Sequence, residues 1–202
     1  MGRSIITDVP YPNYHPLIYP SDISDQGYVT KTYFIGARNP IWYLRMGDIL
    51  FSAEGTVGRT FVVCDEVSHF TTNFHGMIIS PEKEVSLKKS IYVGLFLTYL
   101  RKKLIFDKIS VGGQGGSFAS SYWNKIRIPI LPNLLVDKLG SLYFAGDVTL
   151  DPFVFDALRI SKAGIYELNK LRVNGIAALK TLIEDIKDDA LKPSDAYCSV
   201  TI

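Results

Sequence analysis

The chain has 202 residues, 47% apolar and 12% aromatic, enough to bury one substantial core and too many for a disordered polymer. A net charge of +2 does not mark the whole chain as a polyanion binder. The charge is uneven: residues 1–132 carry 14 basic and 10 acidic side chains and residues 133–202 carry 8 and 10, so the positive excess sits on the first part.

Two cysteines, Cys64 and Cys198, lie 134 positions apart and imply no disulfide framework. Met1-Gly2-Arg3-Ser4 opens onto no apolar run of signal length. No uninterrupted apolar stretch approaches the ~20 residues of a membrane span. A soluble, cytoplasmic protein with no membrane association is expected.

Residues 1–20 hold prolines at 10, 12, 16 and 20 among Tyr11, Tyr14, His15 and Tyr19. That density argues against helix and central strand, so an extended arm is expected. Its aromatics either pack on the body or stack on bases. Ser21 to Val29 reads as a turn and a short strand, and Gly36, Arg38 and Pro40 break up residues 31–43.

Short Val/Ile/Phe-rich runs then predict strands over 48–53, 59–64 and 73–80. The first two flank the loop Glu54-Gly55-Thr56-Val57-Gly58-Arg59, whose glycines permit a tight reversal. From Ser90 to Phe106 the apolar period becomes helical, with Arg101, Lys102 and Lys103 in the last turn, where cations suit the helix dipole. A second permissive loop, Gly112-Gly113-Gln114-Gly115-Gly116-Ser117, precedes Tyr122-Trp123 and an expected strand over 125–131, closed by Pro129 and Pro132. A short helix over 133–144 and an irregular stretch over 146–155 lead to a long helical pattern over 163–191. There Leu168, Leu171, Ala178, Leu182, Ile183, Ile186 and Ala190 form one stripe. This helix either lies on its own domain or pairs with a partner helix. The fold expected is α/β (α+β): a β-rich domain with its arm over 1–132, a connector over 133–162, a long helix over 163–191 and a tail over 192–202.

An ordered set of short pieces carries a family resemblance: Gly47-Asp48-Ile49-Leu50, Gly55-x-x-Gly58, Thr72-Asn73 and Ile126-x-Ile128-Pro129. Over about residues 20–132 the chain resembles the target recognition domain of type I restriction-modification specificity subunits. Asp22, Ile23, Gly27 and Val29 match a further stretch of that pattern. The resemblance implies a non-catalytic subunit that reads double-stranded DNA. It implies as partners a DNA methylase (modification) subunit and a restriction-motor subunit, with long helices holding two recognition domains apart. This chain has room for one domain and one helix and shows no internal repeat, so it looks like half a specificity subunit or a form that dimerises through its C-terminal helix. The sequence departs from the pattern after the Ile-Pro exit. Asn133-Leu134-Leu135-Val136-Asp137 stands there, and the 146–155 insert delays the helix.

Other chemistries fit less well. Asn39-Pro40-Ile41-Trp42 approximates an amino-methyltransferase loop but lacks its second proline and any glycine-rich cofactor turn before it. Cys64, His69 and His75 are one ligand short of a structural zinc site. Loop 112–116 is no P-loop, since Ser117 follows glycine rather than lysine. It either brings amides to a DNA phosphate or merely connects helix and strand. No catalytic residue, cofactor or metal is therefore assigned.

The candidate DNA contacts are Arg38, Arg59, Asn73, His75, Gln114 and Ser117 toward bases, and Lys31, Lys108 and Lys125 toward phosphates. Arg59 has an alternative partner in Glu54, Asn73 in its own turn, and Trp123 in the core. Two other functions stay open: the recognition domain of a longer single-chain DNA-modification enzyme, and a protein-interaction module without DNA function.

Overall fold

The computed structural model describes residues 5–36, 41–65, 70–82, 85–112, 116–146 and 148–187. In chain order the strands are β1 (Ile5–Thr7), β2 (His15–Ile18), β3 (Tyr33–Gly36), β4 (Ile49–Ser52), β5 (Thr60–Val62), β6 (Thr71–Thr72) and β7 (Gly76–Ile79). The helices are α1 (Leu87–Lys102), α2 (Ile105–Ile109), α3 (Asn133–Tyr143), α4 (Ala157–Lys162) and α5 (Ile165–Lys187). This is a mixed α and β fold with two small sheets and a long C-terminal helix.

β4 is the centre. It lies between β5 and β7, antiparallel to both, and all four of its residues are buried. Side chains alternate across a strand, so β4 feeds two cores. Ile49 and Phe51 point to one, with Val62, Ile91, Leu97, Phe106 and Phe118. Leu50 points to the other, with Phe61, Val63, Ile18, Ile23 and Leu44. The unbroken apolar run Ile49-Leu50-Phe51 is the sequence form of a strand with no wet face.

The first core is aromatic. Phe51 meets Phe106, Phe118 and Trp123 with ring centroids 5.2, 5.2 and 4.9 Å apart, in edge-on geometries that aromatic pairs favour. Trp123 is thus packed among rings. α1 closes over β5 through Gly94, where an added Cβ would stand 2.3 Å from Val62 Cγ2. The Thr60 and Thr98 hydroxyls meet at 2.7 Å across the same contact. On its other flank α1 carries α3: Gly140 lies against Lys88, Lys88 Nζ is 3.6 Å from Asp137, and Tyr143 enters the core.

The second sheet runs β1-β3-β2-β6, with β2 parallel to β6. Here the structure corrects the reading of the proline-rich arm. β2 holds Pro16 yet is flanked by two strands. β6 pairs only with Leu17 and Ile18, so Pro16 lies beyond that ladder and faces Phe34 of β3 alone. The strand expected over 73–80 starts only at Gly76, as β7. Thr71–Thr72, outside that expectation, pair with β2 in this sheet, and residues 73–75 turn the corner between the two sheets. Gly76 sits at that corner because a Cβ would come within 2.8 Å of Leu50 Cδ1 and Thr72 Oγ1.

Three further expectations change. The helix drawn to Phe106 stops at Lys102. Leu104 turns left-handed at φ 56° and sends α2 back, so that Phe106 is fully buried while Leu104 is exposed. Residues 125–131 are not a strand. Ser120–Lys125 form a 3-10 helix and 126–131 are extended without a ladder among the described residues. Pro129 and Pro132 lack the donors a ladder needs, and the Pro129 carbonyl instead accepts from Tyr92 at 2.7 Å. The short strand expected before Val29 is a single Ile23–Val29 bridge.

α5 is tied to the body at its start. Glu167, buried, accepts from the amides of Ala145, Gly146 and Gly164 at 2.8, 2.9 and 3.0 Å. The Gly164 bond is half a capping box, a glutamate at the third helical position reaching back to the cap. Asp65 accepts from Tyr166 at 2.6 Å and from Lys170 at 2.5 Å. Burial raises the Asp65 pKa, but those two donors outweigh it and leave the carboxyl below its ordinary value. Burial, then the bond to Asp65, pushes the Tyr166 hydroxyl up. Further along, Ile176, Leu179, Leu182 and Ile183 are exposed, while Ala190 of the expected stripe lies outside the described residues and so does the tail. Among the described residues no helix is long and apolar enough to cross a membrane.

Glu167→Ala strands the buried Gly164 amide and releases two others. A loss of about 2–3 kcal/mol in urea-unfolding free energy is expected, with earlier hydrogen exchange in the first turn of α5 than in β4.

Candidate nucleic-acid interface

β4 leaves the core at Ala53, and three loops gather on that residue and the next. The Ala53 amide donates to the His75 carbonyl at 2.9 Å, and the Ala53 carbonyl accepts from Phe118 at 2.8 Å. Glu54 bridges Ser117, and the Gly55 amide donates to Gly116 at 3.2 Å. The hairpin tip, the corner at 73–75 and the ends of the 110–117 loop therefore share one end of the molecule. Residues 110 to 117 close on themselves through paired Val111–Ser117 backbone bonds of 3.1 and 2.9 Å. Between hairpin and loop lies a polar groove of about 200 Å³, lined by Gly55, Thr56, Arg101, Asp107, Ser110 and Gly112 among others.

The two hairpin glycines serve different needs. Gly55, at φ 69°, has open space where a side chain would go. Gly58, at φ 86°, sits on Phe106, whose Cδ2 would be 2.5 Å from an added Cβ. The first has space beside it and gives its amide to Gly116; the second lets the hairpin lie on α2.

Cations flank this end. Arg101, in the last turn of α1, donates to the carbonyls of Thr56 and Val57. Lys102, Lys103 and Lys108 are exposed on the same α1–α2 corner. Arg59 leaves the hairpin toward the body rather than toward Glu54: its Nε meets Asp25 at 3.1 Å and its NH1 donates to the Ser21 carbonyl at 2.9 Å. Arg101 shares the same Asp25 oxygen at 3.1 Å. Burial raises the Asp25 pKa, but Arg59 and Arg101 outweigh it and hold the carboxyl below its usual range.

The other sequence-derived candidates divide. Asn73, His75 and Ser117 come together here. Asn73 Oδ1 accepts from the His75 amide at 3.1 Å, so the turn does occupy it, and the His75 ring pairs with Glu54. Lys31 stands apart, over the Tyr33 ring at 4.2 Å, and hydrogen bonding to Tyr33 is the main cause of its raised pKa. Lys125 covers the Tyr122 ring at 4.9 Å. Arg38, Gln114 and His69, like Asn39 and Pro40 of the weighed methyltransferase loop, lie outside the described residues. Cys64 is buried, and burial raises its thiol pKa.

Phe74, Glu54 and the cations Arg101, Lys102 and Lys103 join this end without standing among the sequence-derived contacts. Phe74 is 85% exposed at the corner, its ring 3.9 Å from that of His75. Glu54, which the sequence offers to Arg59, takes the His75 ring instead. The signal for Phe74 was a large aromatic inside a turn of the form Asn-x-x-Gly, a place where side chains point to solvent.

No family model matches this chain, and no curated protein matches it. It is similar to a chain in a solved structure described as "Structural basis underlying complex assembly and conformational transition of the type I R-M system". The TM-score is 0.44 at 16% identity, over 90% of this chain and 39% of that one. The chain thus spans well under half the length of that neighbour.

Gly58→Ala combines a left-handed φ with a clash on a core ring, and is expected to lower stability by about 3 kcal/mol or more, against about 1 kcal/mol for Gly55→Ala, which meets only the backbone penalty. Urea midpoints of the two variants check the order.

Proposed function

We propose that this chain is the DNA-sequence-recognition component of a type I-like restriction-modification system. It performs no chemistry itself and directs a methylase subunit, and with it a motor-nuclease subunit, to the target. The observation that carries this reading is the meeting of two glycine loops and the 73–75 corner at one exposed end, beside Arg101, Lys102, Lys103 and Lys108. Hydrogen-bonding side chains on rigid loops read base edges, and flanking cations hold phosphates. The ordered motif resemblance supports the same reading from the sequence. In it, Asn73, His75 and Ser117 face bases, with Arg38 and Gln114 added on sequence grounds, and Lys108 and Lys125 meet phosphates; Lys31, apart from this end, reaches DNA only if the duplex extends across the body. Arg59 acts by bracing the hairpin and turns to DNA only by leaving Asp25.

The exposed apolar face of α5, Ile176, Leu179, Leu182 and Ile183, pairs in this reading with the same helix of a second copy. A two-fold dimer then takes a palindromic site with a fixed spacer.

The full chain is expected to bind duplex DNA with an affinity that falls steeply with salt. Lys102→Ala, Lys103→Ala and Lys108→Ala should each reduce the slope of log affinity against log salt by about 1. Salt-independent binding, or none, sinks the reading. Sedimentation of Leu179→Asp against wild type tests the dimer, and an unchanged mass removes α5 from the interface.

A further inference from the structure

The pair formed by Glu54 and His75 faces solvent at the recognition end, with side chains 46% and 39% exposed. The role inferred for it depends on the chain recognising DNA. An ionised carboxylate only accepts, so the proton between Glu54 and the ring belongs to His75 Nδ1. A neutral imidazole then carries its lone pair on Nε2. That atom has no hydrogen-bond partner among the described residues.

Both residues are held from several sides. The Glu54 carbonyl accepts from Ser52 Oγ at 3.2 Å, and its backbone bridges Ser117. The His75 carbonyl accepts from Ala53, its amide donates to Asn73 Oδ1, and Gly76 beside it is pressed against Leu50 and Thr72. The Phe74 ring covers the imidazole at 3.9 Å. Glu54 on Nδ1 and Phe74 against the ring orient the imidazole, so the sign of its outward group is set by Glu54.

We propose that Glu54 is a positioning residue that presents His75 Nε2 to DNA as a hydrogen-bond acceptor. The corner at 73–75 therefore selects a base whose major-groove edge carries an exocyclic amino group, adenine N6 or cytosine N4. An imidazole protonated on Nε2 instead would donate, and would select the acceptors of guanine or thymine.

The test is selection from a pool of randomised duplexes with the full chain, at about pH 8 to keep imidazole neutral, using wild type, Glu54→Gln and His75→Ala. The wild-type chain is expected to enrich a site with one position restricted to adenine or cytosine. At that position an analogue lacking the amino group, purine for adenine or 2-pyrimidinone for cytosine, should weaken binding about tenfold. A glutamine can offer Nδ1 either a donor or an acceptor, so Glu54→Gln should relax that one position and leave the rest of the site and the thermal midpoint as in wild type. His75→Ala should bind natural and analogue duplexes alike. If Glu54→Gln keeps the same restriction at every position, the inference is overturned and DNA recognition stands. If the wild-type chain enriches no sequence, the parent reading falls and takes this one with it. The analogue series needs no variant, so equal wild-type binding to all analogues overturns the proposal even where Glu54→Gln fails to fold.

Discussion

A strand with no solvent-facing side is the constraint under which the rest of this molecule is built. β4 buries Ile49 and Phe51 on one face and Leu50 on the other, so both faces need cover. One cover is the aromatic cluster under α1 and α2; the other is the four-stranded sheet with Leu44 and Ile23. Once both are in place, the chain leaving β4 at Ala53 has one exit. The hairpin, the 73–75 corner and the 110–117 loop all bond to Ala53, Glu54 or Gly55. The loop-bearing end is thus a by-product of the core: its described backbone hangs from the most buried strand.

How much of the fold was legible in the sequence depends on how local each signal is. β4, β5, α1, α3 and α5 could be read because their patterns are carried by neighbouring residues. The αL turn at Leu104 could not, since leucine is a poor candidate for that conformation and only the burial of Phe106 demands it. β6 was hidden because two threonines are too short a run to signal a strand, and the corner at 73–75 is masked by the β-rich run from Asn73; Gly76 passes there between Leu50 and Thr72. Pro16 misled for a related reason. Its missing donor rules out a ladder on one side only, and β6 is short enough to stop before it.

The site is half visible in sequence. Glycine spacing marks its loops, and local partners such as the turn that takes Asn73 follow, but the charge pairs across the fold do not. In sequence Arg59 fits a base contact or a pair with Glu54, whereas Asp25, 34 positions earlier, takes it. That exchange frees Glu54 for His75. Pairing of charges across such separations is decided by the fold, and a chain alone offers several equally good matches.

The joint at the start of α5 has a mechanical consequence. Glu167 ties three amides from two segments to the first turn, and Asp65 grips Tyr166 and Lys170. The 23-residue helix beyond is a lever of about 34 Å, so an angular play of about 10° at its root would swing the tip by roughly 6 Å, more than one helical pitch. A stiff pivot, rather than the length of the arm, is what would let anything at its far end be placed with base-pair accuracy.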